Sequence, residues 1–152
     1  MPQEEIKLIH SQLRTAQDKY TYFLLAIAAS AIAFSIQLTK TDAFSFSLTP
    51  LGIAVLAWCG SFFAGCKNIE YVNSTLFANA EYLKAKSGLH PDVGNNPSYI
   101  AAATEGIMDA LNNNAKKAGD YGRSQFRLLV LGGCFFIAWH LIQMACRTIV
   151  NN

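Results

Sequence analysis

The sequence predicts an all-α integral membrane protein, with three transmembrane helices and helical cytoplasmic extensions that form a bundle. Three observations predict it. Residues 20–39, 43–66 and 128–146 carry no charged residue, and all Asp, Glu, Lys and Arg lie outside them. At a rise of ~1.5 Å per residue each run is long enough to cross a ~30 Å hydrocarbon layer. The chain is 52% hydrophobic and only 14% charged, against roughly 25% charged residues in soluble domains. The flanking segments carry apolar residues at helical spacing, so the spans continue as helices outside the apolar layer.

The 152 residues read as a single membrane domain. Residues 1–19 form an N-terminal helix and 20–39 the first span. Their apolar positions Ile6, Ile9, Leu13, Ala16, Tyr20, Phe23 and Ile27 alternate in steps of three and four. That seam passes from the charged segment into the apolar run without changing register, which predicts one continuous helix packed along a partner. Lys7, Arg14 and Lys19 ahead of an apolar run superficially resemble a signal peptide ending near Ala33. The run continues to Leu38, which suits a retained span.

A short loop with Lys40 and Asp42 leads to the second span, 48–66, with Pro50 in its first turn, where a missing N–H has no helical bond to lose. Residues 67–127 read as a helical hairpin. Ile69, Val72, Leu76, Ala80 and Leu83 form its first stripe, and Gly88 is placed to end that helix. After a polar loop, Asn96 and Pro97 have the chemistry of a helix start, with a capping side chain followed by a preset φ. A helix from 67 to 87 extends ~31 Å and one from 97 to 118 returns ~33 Å. Gly119 and Gly122 then provide a hinge, expected to kink the chain before the third span, 128–149.

Orientation follows from the basic residues. Ten of the twelve Lys and Arg lie in the N-terminal segment and in 67–127, leaving Lys40 and Arg147 on the other side. This places the protein in the cell membrane (inner or plasma membrane) as a multi-pass protein, with N-terminus and hairpin cytoplasmic and C-terminus outside. A net charge of +2 is too small to suggest nucleic acid as a partner.

The candidate functional residues are polar groups at depth. His140 and Gln143 in the third span, with Ser30 and Ser61 in the first two, are pore-lining or polar intramembrane candidates, because such groups are costly in lipid and turn toward protein or water. A neutral His140 bonded to Ser30, Ser61 or a carbonyl of a neighbouring helix is the competing structural reading. Helix-packing candidates are the small residues Ala29 and Ala33 in the first span, Ala57, Ser61 and Gly65 in the second, and Gly132 and Gly133 in the third. Three spans leave much surface facing lipid, so the expected partners are the bilayer, further copies of the chain and a protein docking on the cytoplasmic helices.

Cys59, Cys66, Cys134 and Cys146 match no metal-binding spacing, and no catalytic or phosphate-binding motif is present. Neither catalysis, metal nor cofactor is expected. The layout is loosely similar to that of small bacterial membrane effectors of the SLATT type, which pair two spans with cytoplasmic helices. The third span departs from that plan. Together these readings favour a small oligomeric pore or channel gated by its cytoplasmic helices. The alternative is a non-conducting scaffold, anchor or immunity-type subunit that binds a partner through those helices.

Overall fold

The computed structural model describes residues 2–39 and 46–150. They form three long helices, α1 (Pro2–Leu38), α2 (Thr49–Lys86) and α3 (Pro97–Val150), with a 3-10 turn at Phe46–Leu48 before α2. No strand occurs among the described residues. All three helices are long and apolar enough to cross a membrane. The loop with Lys40 and Asp42 lies outside the described residues.

α1 continues without a break from the charged segment through the apolar run. Glu4 and Glu5 in its first turn complement the partial positive charge of a helix N-terminus. Ser35 is buried, and its hydroxyl donates back to the Ala31 carbonyl at 2.8 Å, so this hydroxyl is satisfied within its own helix.

The described residues cluster as two compact units. The first combines α1, α2 up to Gly65 and α3 from Gly122. Its interior is closed by Leu24 and Ala28 of α1, Leu51, Ala54, Ala57, Trp58 and Ala64 of α2, and Trp139 of α3. On α2 the buried positions Leu51, Ala54, Trp58, Ser61 and Gly65 alternate by three and four. On α3 Gln125, Gly132 and Trp139 recur every seven. This is knobs-into-holes spacing, with small residues supplying the holes. Gly132 lies under the Trp58 indole, where a Cβ would come within 2.6 Å of Trp58 Cδ1.

The second unit is Cys66–Tyr121. Its first helix ends as the sequence suggests. Gly88 has φ +70°, the Gly88 N–H donates to the Ala85 carbonyl at 3.1 Å, and the Leu89 N–H donates to the Lys84 carbonyl at 3.0 Å. That pair of bonds is a Schellman motif around a left-handed residue, which glycine adopts without a Cβ penalty. α3 starts where Asn96 caps it, its Oδ1 accepting from the Ser98 N–H at 3.1 Å. Between the helices Tyr71 and Tyr121 stack at 5.5 Å, Lys117 Nζ lies 5.3 Å from the Tyr71 ring centroid, and Asn68 Nδ2 donates to the Ala118 carbonyl at 2.6 Å. Glu81 accepts from Lys84 at 2.8 Å and lies 3.4 Å from His90 Nε2. The hydrogen bond from Lys84 holds the Glu81 carboxyl below its ordinary range, against an opposing effect of desolvation.

α3 passes through Gly119 and Gly122 as uninterrupted helix, and through Asn112, Asn113 and Asn114 as well. Two glycines cost a helix roughly 1 kcal/mol each, too little to open a break when helix propagates on both sides.

Candidate functional site: polar groups in the apolar helices

The three-helix unit contains a chain of polar contacts centred on Gln125. Ser61 Oγ donates to the Gln125 backbone carbonyl at 2.8 Å, and both residues are buried. The Gln125 side chain reaches the other way, its Nε2 donating to the Thr21 carbonyl at 3.4 Å. One residue thereby ties α3 to both α1 and α2. Gly65 makes room for it, because a Cβ there would lie 2.7 Å from Leu25 Cδ2 and 2.9 Å from the Gln125 amide carbon. One helical turn along α3, Trp58 Nε1 donates to the Leu129 carbonyl at 3.2 Å, and the Trp58 ring packs at 5.8 Å from Phe136. Hydrogen bonds between helices in lipid are each worth about 0.6 kcal/mol, so these orient the helices more than they hold them.

The sequence-derived candidates divide between the inside and the outside of this unit. Ala57, Ser61, Gly65 and Gly132 are buried and Gly133 is half-buried, whereas Ala29, Ser30 and Ala33 are exposed. Gln143 turns inward and donates to Ser47 Oγ at 3.2 Å. His140 is separated from it: the imidazole is exposed and its ring neighbour is the adjacent Trp139, at 6.5 Å. Ser61, one of the partners considered for His140, donates its hydroxyl to the Gln125 carbonyl. All four cysteines are free and exposed. Among the described residues no group of His, Cys, Asp or Glu is arranged to hold a metal.

Gln125, Trp58 and Trp139 are central in the structure and were not singled out from the sequence. The usable signal was the spacing Gln125, Leu129, Gly132, Phe136, Trp139 and Gln143, which marks one helix face. Gln125 escaped because it stands between Arg123 and Arg127, at a position that reads as solvent. The indole N–H of Trp139 is buried and has no acceptor among the described residues. Comparison with known protein families, curated proteins and solved structures gives no match to this chain.

Proposed function

We propose that this chain is a small integral membrane protein that associates into a pore or channel, with residues 67–127 as cytoplasmic helices that control its opening. The observation that carries the reading is His140, an ionisable side chain exposed on the outside of the three-helix unit within an apolar run. An imidazole facing hydrocarbon is costly, and a neighbouring copy or an aqueous lumen removes that cost. The exposed Ser30 supports the same arrangement. The distribution of Lys and Arg favours a cytoplasmic N-terminus and hairpin, with the C-terminus outside the cell membrane.

The test is ion flux through liposomes containing the purified protein, over a range of pH. Conductance that changes its pH response in His140→Ala supports the proposal. A monomer in detergent that conducts nothing overturns it.

A second reading, a non-conducting scaffold, is favoured by Phe77, Leu83, Leu89 and Tyr99, which are exposed apolar groups outside the apolar runs. Capture of one defined partner by the full chain, lost in Phe77→Glu and accompanied by no conductance, would favour the scaffold.

A further inference from the structure

We infer that His90 is a proton-operated latch in the turn between α2 and α3: its neutral ring holds the backbone of Asp92, and its protonated ring releases Asp92 while staying on Glu81. The latch lies wholly within Cys66–Tyr121. It stands apart from the pore reading, since it needs neither conductance nor a second copy.

The turn is built around one residue. Pro91 has no N–H, so the first backbone donors after His90 belong to Asp92, Val93 and Gly94. All three turn back onto His90. The Val93 and Gly94 N–H groups donate to its carbonyl at 3.3 and 3.1 Å, and the Asp92 N–H donates to its ring Nδ1 at 3.2 Å. The ring bond has the spacing of an Asx turn, in which an Asn or Asp side chain accepts from the backbone two residues on. Nδ1 of His stands the same number of bonds from Cα as Oδ1 of Asn, so it fills the same place. The exchange of oxygen for nitrogen brings in the proton. An amide oxygen does not titrate, whereas an imidazole changes charge between about pH 5 and 8.

The two ring nitrogens respond to that proton with opposite sign. A neutral imidazole is a donor at one nitrogen and an acceptor at the other. Acceptance at Nδ1 places the hydrogen on Nε2, which lies 3.4 Å from Glu81 Oε2. Protonation turns Nδ1 into a second N–H, which cannot accept from Asp92. At Nε2 it sets a positive charge beside a carboxylate. The His90 and Glu81 side chains are 19% and 21% exposed, so water screens this attraction incompletely. The ring therefore keeps its Glu81 side and gives up its Asp92 side. Asp92 is exposed, so its freed N–H takes water as a partner at little cost.

The surrounding charges leave this exchange open. Lys84 donates to the other oxygen of Glu81, Oε1, at 2.8 Å, so one carboxylate serves both cations. Lys86 is turned over the Tyr82 ring, 5.8 Å from its centroid. The turn itself brings the Asp92 carboxylate, and α3 brings no charge before Glu105.

NMR of the isotope-labelled full chain in detergent tests the latch, between about pH 8 and 5.5, where carboxylates stay charged. At the upper pH the His90 ring is expected to carry its hydrogen on Nε2 with Nδ1 bare. As the His90 ring resonances titrate on acidification, exchange of the Asp92 amide with water, divided by its intrinsic rate at each pH, is expected to rise several-fold. Gly94 should stay constant, and the nuclear Overhauser contact between the His90 ring and Glu81 should persist.

His90→Asn keeps an acceptor that does not titrate and is expected to protect Asp92 at both ends of the range. His90→Phe has no acceptor and should leave Asp92 unprotected throughout. The latch is overturned by a hydrogen on Nδ1 at pH 8, by Asp92 protection that does not change, or by Asp92 and Gly94 losing protection together. Loss of the Glu81 contact in acid, or a pH dependence that survives in His90→Asn, overturns it as well.

Discussion

In the three-helix unit, Leu24, Ala28, Leu51, Ala54, Ala57, Trp58, Ala64 and Trp139 are closed off from solvent. In Cys66–Tyr121 the buried hydrophobic residues among those described are Ala85 and Ala118. The difference follows from helix number. Three helices enclose a line of residues on all sides, whereas two can only press one stripe against another. The hairpin consequently relies on directional contacts: the Tyr71–Tyr121 stack, the Asn68 bond to Ala118 and the glycine-closed turn. Packing in the first unit is limited by volume, and in the second by a few aromatic and polar contacts. Regions with few buried apolar contacts lie at the low end of local stability.

The sharpest way to break this comparison is Gly132→Leu. The added side chain meets the Trp58 indole, and overpacking of this kind costs about 1–3 kcal/mol. Gly133→Leu, with nothing within 4 Å of its Cβ position, should unfold near the wild-type midpoint in the same denaturant titration. Equal midpoints for the two variants would mean that volume does not control the three-helix unit.

Tyr121→Ala should act on the other side of the comparison. Loss of the stack with Tyr71 is expected to remove about 1 kcal/mol from the hairpin alone. Hydrogen exchange should quicken within 66–121 and stay unchanged within 51–65. A smaller effect of opposite sign is expected for Gly119→Ala. Its Cβ would enter open space in a continuous helix, so removing glycine's backbone freedom should slow exchange by the equivalent of about 0.5–1 kcal/mol.

The least effect belongs to Glu81. Its carboxyl is held below the ordinary range of about 4.3 by the hydrogen bond from Lys84. Its contribution is therefore present above that range and lost as pH falls through the lower, folded value. Protection around Ser87–Leu89 should decline as pH falls below the ordinary carboxylate range, and Glu81→Gln should flatten that dependence.

The three long helices, the Asn96 start and the Gly88 stop were legible because each depends on local chemistry: hydropathy over a window, a capping side chain, a residue free to take positive φ. The facing of residues within the spans was not. An almost uniformly apolar helix shows little contrast between the side that meets lipid and the side that meets protein. Spacing thus grouped His140 with Gln143, while the structure turns one outward and bonds the other to Ser47. The same ambiguity hid Ala29 and Ala33 on the outside and Gln125 on the inside. The continuity of α3 past Gly119 rests on the cooperativity of the turns around it, which residue propensity alone does not carry.

Both tryptophans of the chain, Trp58 and Trp139, fall in the three-helix unit, whereas Tyr71, Tyr82, Tyr99 and Tyr121 fall in the hairpin. Excitation near 295 nm therefore gives an emission signal from the first unit without any attached label. With both indoles buried and one hydrogen-bonded to a helix carbonyl, a red shift of that emission would report the opening of this unit to water while the hairpin stays optically silent.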